Sequence, residues 1–293
     1  MPDISYIKGM QGAPTIYKVG SIDGKKFQPP SPIAMFDSGV GGLTVLSEVI
    51  KQMPHEDVVY LADNKRVPYG SKTDDEIIKI NQKIIGFFVD KGAKIVIMAC
   101  GTSSSIAYPI VAKQFKVPII SLIEPGAKAA ALVTKSKKIG VIATEGTVRS
   151  GAYQTAIKTI LGIGAEVIAV PCPLFVPLVE GGFLESLETK AVAEGYLNQL
   201  RQSNIDTLIF GCTHYPHLKK VIQEIMGPAV NLIDPAHEAV LEAKKVMEKN
   251  KLLKESPNPA HYTFLTTNST SRFQELGSKL LKRPILGVTK VDV

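Results

Sequence analysis

The chain has 293 residues, of which 45% are apolar and 21% charged, which is typical of a globular protein with one large or two modest domains. The net charge is +7, and the basic residues are scattered apart from the stretch 135–138, so the sequence predicts a solvated loop there and no nucleic-acid-binding surface. Three widely spaced cysteines argue against a disulfide framework, and no apolar run is long enough to cross a membrane, so we expect a cytoplasmic protein.

Residues 1–31 contain Gly and Pro and are predicted to form an N-terminal extension ahead of a regular alternation of elements. Short runs rich in Val and Ile are typical of strands covered on both faces, and they lie at 33–36, 58–62, 95–99, 119–123, 139–143, 167–170, 208–211 and 230–233. Helical spacing is clearest at 73–91, where Thr73 and Glu76 form a capping box and Gly92 follows as a C-cap. Further helices are predicted at 185–201, 236–249 and 273–281, with a strand at 262–265.

The alternation of strands and helices predicts an α/β fold with mainly parallel sheets flanked by helices. An internal repeat adds to this prediction, because a strand, a cysteine, a helix, a strand and an acid–proline pair occur twice in the same order. The first copy places Cys100 before Pro125, and the second places Cys212 before Pro235. We therefore predict two similar, pseudo-twofold-related domains, 32–127 plus 237–293 and 128–236, with the two cysteines on opposite sides of an interdomain cleft.

Several predicted strands end at a small polar or reactive residue. These residues include Asp37, Asp63, Cys100, Thr144 and Cys212. Ligands of open parallel sheets bind at the carboxyl ends of the strands, so these side chains are expected to share the cleft.

The paired cysteines indicate proton transfer on both faces of a substrate. A cysteine between a strand and a helix lies near the helix N-terminus, where a thiolate is favoured. Inverting a Cα centre without a cofactor requires a base on one face and an acid on the other, and two thiols can exchange these roles. Asp37 and His214 are the neighbours expected to tune them.

Four further features of the sequence have other interpretations. Cys172 lies between two prolines, has no counterpart in the repeat, and is predicted to be structural. Cys212, His214 and His217 have the spacing of a partial zinc site, but no CxxC accompanies them, and no metal site is predicted. The glycine-rich stretch 37–42 fits neither the dinucleotide fingerprint nor the P-loop, and Glu180 is interpreted as a loop charge or as an acid at the cleft rim.

Six segments, in order, resemble the glutamate racemase family of bacterial cell-wall synthesis. They are FDSGVGGLTVL at 36–46, AD at 62–63 with VPYGS at 67–71, AC-x-T at 99–102, AT-x-GTV at 143–148, CPLFVPLVE at 172–180 and GCTHYP at 211–216. The resemblance covers about residues 32–240, and the segments are jointly specific although each alone is weak.

The resemblance implies conversion of L-glutamate to D-glutamate between two domains, often in a homodimer, without pyridoxal phosphate, metal or nucleotide. By position, Cys212 would take the proton from L-glutamate and Cys100 would supply one on the other face. Asp37 would assist Cys100, and His214 with Glu180 would assist Cys212. The positions that match substrate contacts are Ser38, Pro68, Tyr69, Gly70, Gly101, Thr102, Thr147 and Thr213.

The chain departs from the family pattern at Gly101, where the family has an Asn that contacts substrate, and at Ser103–Ser105, which replaces a stretch richer in Ala. The departure at Gly101 leaves open a racemase of aspartate or another amino acid, or a weakly active regulatory homologue. In some family members an extension is linked to regulation by a peptidoglycan precursor, and some bind DNA gyrase, so both remain open as partners. A thiol oxidoreductase is a further alternative, which no CxxC supports.

Overall fold

A computed structural model describes residues 31–255 and 258–293, so the predicted extension, except its last residue, lies outside the described residues. The described strands are β1 Ile33–Asp37, β2 Val58–Ala62, β3 Ile95–Met98, β4 Ile119–Ile120, β5 Lys138–Ala143, β6 Glu166–Pro171, β7 Thr207–Phe210, β8 Asn231–Ile233, β9 Tyr262–Thr266 and β10 Thr289–Lys290. The α-helices are α1 Leu43–Gln52, α2 Asp74–Lys91, α3 Gly101–Ile106, α4 Tyr108–Gln114, α5 Ile123–Val133, α6 Glu145–Ser150, α7 Ala152–Leu161, α8 Phe175–Glu180, α9 Leu187–Gln202, α10 Lys219–Met226, α11 Ala236–Lys249 and α12 Thr270–Leu281. Two 3₁₀ turns, Tyr69–Ser71 and Tyr215–Leu218, complete the described elements.

The strands form two separate parallel sheets, which confirms the predicted fold class. The first sheet has the order β10-β9-β2-β1-β3-β4, and the second has the order β6-β5-β7-β8. The segment β2-β1-β3-β4 of the first sheet therefore repeats as β6-β5-β7-β8 in the second. This common order supports the internal repeat that the sequence predicted.

Each sheet is covered by helices on both faces, because its strands are apolar along both sides. In the first sheet, β1, β2 and β3 are buried throughout, with Met35 and Tyr60 in one core and Phe36 and Leu61 in the other. The second sheet likewise separates two apolar clusters. This coverage buries both faces of each sheet. The carboxyl ends of the strands are therefore the places where polar side chains can meet a ligand.

The local signals determine where elements begin and end. The Thr73–Glu76 capping box is present, and Gly92 adopts φ 92° at the end of α2, as predicted. The fourth strand ends earlier than predicted, at Ile120, because the Ser121 hydroxyl accepts a hydrogen bond from the Ile123 N–H and α5 begins there.

The proposed division at residues 127 and 128 falls inside α5, which packs against the second sheet and α7. The limits of the two domains therefore remain a proposal. Within residues 31–255 and 258–293, no helix combines the length and the apolar character needed to cross a membrane.

Candidate active site

The two sheets meet at a narrow cleft with room for about one water molecule. Both Cys100 and Cys212 lie in its wall, and only 4% of the surface of Cys100 and 7% of that of Cys212 are exposed. The lining residues are Asp37, Ser38, Pro68, Tyr69, Gly70, Cys100, Gly101, Thr102, Thr144, Val176, Cys212, Thr213 and His214. The cleft thus unites most of the residues that the sequence singled out, from both halves of the repeat.

Sheet register places the first thiol beside a carboxyl group. Strand β1 pairs with β3 so that Phe36 lies opposite Met98; Asp37 ends β1, and Cys100 follows the end of β3 by two residues. The Oδ2 of Asp37 accepts a hydrogen bond of 2.8 Å from the Gly42 N–H. Among the described residues its Oδ1 has no other conventional partner and is available to the neighbouring Cys100 thiol.

Burial governs the electrostatics on this side of the cleft. Burial raises the pKa of Asp37, against the opposing effects of the His214 charge and the Gly42 N–H. Burial also raises the pKa of the Cys100 thiol, and the charge of Asp37 adds to the increase. The resting state on this side is therefore a protonated thiol, which suits a proton donor.

The three serines after Cys100 have different roles. Ser104 joins two strand ends, since its hydroxyl donates to the Met98 carbonyl at 3.0 Å and accepts from the Leu122 N–H at 3.1 Å. The Ser105 hydroxyl donates back to the Thr102 carbonyl at 3.0 Å. Ser103 faces the thiol, and its N–H and hydroxyl partly offset the rise in the pKa of Cys100.

The second thiol belongs to a chain of three side chains. The Sγ of Cys212 lies 3.8 Å from Nδ1 of His214, and Nε2 of His214 lies 3.0 Å from Oε1 of Glu180. Burial alone would lower the pKa of His214, but its bonds to Cys212 and Glu180 and the nearby negative charges raise it well above its usual value. Burial opposes ionisation of Glu180, yet its bond to His214 holds its pKa below the usual range. A charged imidazole can therefore stabilise a thiolate at Cys212.

The glycine-rich loop after β1 packs against this chain of side chains. A Cβ added at Gly41 would overlap the His214 ring, and one at Gly39 would lie 2.9 Å from Oε1 of Glu180. One at Gly42 would lie 2.7 Å from Cβ of Asp37. Glycine is needed at positions 39 and 41 because side chains of the second half lie directly against the backbone of the first, and at position 42 because the Asp37 side chain lies against it.

Threonine hydroxyls join the two sheets at the rim. The Oγ1 atoms of Thr102 and Thr144 are 2.8 Å apart, and Thr147 bonds Thr144 in turn at 3.0 Å. Thr147 and Glu180 are thus absent from the cleft wall but hold residues that form it. Tyr69 donates its hydroxyl to Asp63 at 2.6 Å, so its oxygen is already engaged.

The cleft also contains residues that the sequence did not single out as substrate contacts. Thr144 follows β5 as a strand-end residue, and this position was the available signal. Val176 comes from α8, and nothing in the sequence separated it from an ordinary core residue.

The remaining cysteine and the partial zinc spacing concern packing and metal ligands. Cys172 is fully buried in a core cluster of the second half, and its thiol donates to the Val170 carbonyl at 3.5 Å. No group of three potential metal ligands comes together in the part of the chain that the structure describes.

Comparison with known proteins gives a consistent result. The profile of the Asp/Glu/Hydantoin racemase family matches residues 39–243. A glutamate racemase of Geobacter metallireducens is 41% identical over 265 residues, which cover 90% of this chain and 98% of that protein. The crystal structure of a glutamate racemase isoform from Bacillus anthracis superimposes with a TM-score of 0.87 at 34% identity, over 91% of this chain and 99% of that one. A glutamate racemase from Francisella tularensis, crystallised with D-glutamate, gives a TM-score of 0.84 at 36% identity, over 89% of this chain and 97% of that one.

Proposed function

The chain belongs to the Asp/Glu/Hydantoin racemase family, and we propose that it interconverts L- and D-glutamate with Cys100 and Cys212 as the two acid–base groups. The observation that carries this proposal is the placement of both thiols in one cleft, each with its own ionisable partner. The similarity to glutamate racemases over nine-tenths of the chain supports glutamate as the substrate.

The proposed reaction moves one proton in each half. From L-glutamate, the Cys212 thiolate takes the α-proton and leaves a carbanion at Cα. The Cys100 thiol then donates its proton to the opposite face, which yields D-glutamate and a thiolate at Cys100. The reverse reaction exchanges the two roles, so no external acid or base is consumed.

The electrostatics support this assignment of roles. A protonated His214, held by Glu180, pairs with a thiolate at Cys212. Burial and the Asp37 charge keep Cys100 protonated, which prepares it to donate. We propose Asp37 and the His214–Glu180 pair as the groups that restore the two protonation states between turnovers.

The substrate groups have matching partners around the thiols. We propose that Ser38, Thr102, Thr144 and Thr213 bind the carboxylates and the ammonium group, since their hydroxyls or backbone groups line the cleft. The polypeptide around Pro68, Tyr69 and Gly70 closes one side of it.

A solvent-exchange assay tests the proposal. The protein is incubated with L-glutamate in D₂O, and deuterium at Cα is followed by NMR while inversion is followed by circular dichroism. We expect both signals with the wild type, loss of inversion in Cys100→Ser and in Cys212→Ser, and wild-type behaviour in Cys172→Ser. Absence of deuterium from both enantiomers would contradict the proposal, and faster inversion of L-aspartate than of L-glutamate would replace glutamate by aspartate.

We also propose that the protein is a cytoplasmic homodimer that supplies D-glutamate for peptidoglycan synthesis. Family resemblance supports the dimer. Light scattering after size exclusion should give twice the mass of one chain, and the mass of a single chain at micromolar concentration would contradict the dimer.

A further inference from the structure

The two thiol-bearing strand ends touch through their backbones. Gly101 follows Cys100 directly, and Gly211 precedes Cys212 directly. A Cβ added at position 101 would overlap the Gly211 carbonyl oxygen and lie 3.0 Å from its carbon and 3.5 Å from Cα of Cys212. Because the obstacle is backbone, no change of side-chain rotamer can relieve it.

The requirement for glycine at position 101 is one of space. Gly101 is absent from the glycines with positive φ, so its backbone conformation is open to other residues. The second copy of the repeat supports this conclusion, because Cys212 is followed by Thr213, which carries a side chain. A glycine is therefore not needed by a strand–cysteine–helix turn as such. Glycine is needed in the first copy of the repeat because the other half of the molecule lies against position 101.

We propose that Gly101 is a positioning residue, which sets the separation of the two thiols by letting the Gly211 carbonyl pack against the backbone beside Cys100. The adjacent bond between Thr102 and Thr144 holds the two halves at the same place. Any side chain at position 101 would then act as a wedge between the strand ends. The inference rests on the proposed two-thiol reaction.

A positioning role for Gly101 and a lost substrate contact at Gly101 predict opposite effects of substituting this residue. Asn stands at this position in the pattern of the resembling family, so Gly101→Asn should improve the enzyme if Gly101 merely lacks a hydrogen bond. If Gly101 sets the thiol separation, Gly101→Asn should impair it, and Gly101→Ala should impair it with no polar group added or removed.

The test separates proton removal from inversion. Gly101→Ala and Gly101→Asn are compared with the wild type and with Gly195→Ala, a control in α9 where an added Cβ meets nothing within 4 Å. Removal of the α-proton needs one thiol, whereas inversion needs both at the correct separation. We expect inversion to fall about 10- to 100-fold, deuterium exchange to fall less, and the ratio of exchange to inversion to rise. Inversion by Gly101→Asn at or above the wild-type rate would overturn the inference, as would a parallel loss of both signals.

A second measurement does not depend on activity. Labelling of the cysteines by iodoacetamide is followed by mass spectrometry, with the fully buried Cys172 as internal reference. We expect faster labelling of Cys100 and Cys212 in both Gly101 variants, with Cys172 and the Gly195→Ala protein unchanged. Unchanged labelling of the two cleft thiols would overturn the inference. If the wild type neither exchanges nor inverts glutamate, the proposed function fails, and the labelling result still decides the role of Gly101.

Discussion

The two thiols occupy equivalent places but have different partners, and single positions account for the difference. One residue beyond the paired register, Asp37 lies beside the end of β3, whereas Ala143 takes the equivalent place beside the end of β7. The second half therefore has no carboxyl group there, and His214 with Glu180 provides the ionisable partner instead. The common strand order supports duplication as the origin of the two thiols, and the residues that differ between the halves give each thiol its own ionisable partner.

Ser103 is expected to tune the first thiol. Its hydroxyl lowers the pKa of Cys100, so Ser103→Ala should raise that pKa further. Ionisation of Cys100, the proposed base for D-glutamate, then needs a higher pH, and kcat/KM at neutral pH should fall about three- to tenfold. The loss in kcat/KM should be equal for L- and D-glutamate, because the two enantiomers have equal free energy in solution. Ser105→Ala is the matched control, because its hydroxyl bonds only within α3, and an equal loss in this control would count against a role specific to Cys100.

Glu180 is expected to keep His214 charged. Replacing the carboxylate by the neutral amide in Glu180→Gln removes an interaction that raises the pKa of His214, so that pKa should fall. His214 would then lose its proton at a lower pH, and the alkaline limb of L-glutamate conversion should move to lower pH by about one unit. NMR titration of the imidazole would measure the shift directly. Glu185→Gln removes an exposed carboxylate that pairs with Lys220 and should leave the titration unchanged.

At the scale of elements, the sequence predicted most accurately what local chemistry determines. The start of α2 followed from Thr73 and Glu76, because a capping box satisfies the first backbone donors within the segment itself. The predicted end of β4 was wrong. The apolar run continues to Ile123, but the backbone turns at Ser121 and enters α5. The positions of Asp37, Cys100, Cys212 and His214 near strand ends predicted that these residues lie in the cleft. The roles of Gly101 and Val176 depend on contacts between elements and could not be predicted from one segment.

A single aspartate is expected to stabilise the loop before β5. Asp206 accepts hydrogen bonds from the Thr134 hydroxyl at 2.7 Å and from the N–H groups of Lys135 and Ser136 at 2.7 and 2.6 Å. These bonds outweigh the effect of burial and lower its pKa. Asp206→Ala should therefore reduce the free energy of unfolding by about 1 kcal/mol at pH 7, a modest figure because the site is partly solvated.

The pH dependence of this loss has a defined sign. A carboxyl group whose pKa is lowered in the folded state stabilises the protein above its unfolded pKa of about 3.9, and the contribution disappears as pH falls towards its folded pKa. Urea unfolding of the wild type and Asp206→Ala should therefore differ at pH 7 and converge in acid. The exposed Asp90→Ala at the end of α2 serves as control, and a difference that grows in acid would contradict the assignment.

For the whole molecule, the repeat predicted two facing halves but not how closely they meet. The described structure joins them at one rim through Thr102 and Thr144, and on the other side through Glu180, which accepts a hydrogen bond from the Val40 N–H. These contacts leave little empty volume between the thiols, so admission of a substrate requires the halves to separate. Sequence patterns describe the apolar interior of each half, whereas the distance between halves is set by a few small or polar residues.

Arg149 forms an exposed link across this boundary, and we expect it to affect opening more than stability. Its guanidinium donates to Oδ1 of Asp74 at 2.8 Å and to the Lys72 carbonyl at 3.2 Å, with half of each charged side chain exposed. Exposed ion pairs contribute about 0.2–1 kcal/mol, so Arg149→Ala should leave the melting temperature nearly unchanged. We expect this link to hold the halves together over bound glutamate, so the variant should raise the KM for glutamate about two- to fivefold, and added salt should raise the wild-type KM towards that of the variant. Lys190→Ala breaks an ion pair of similar exposure with Glu224 inside the second half, so it should leave KM unchanged. Equal effects of the two variants would show that the change comes from surface charge and not from the link between the halves.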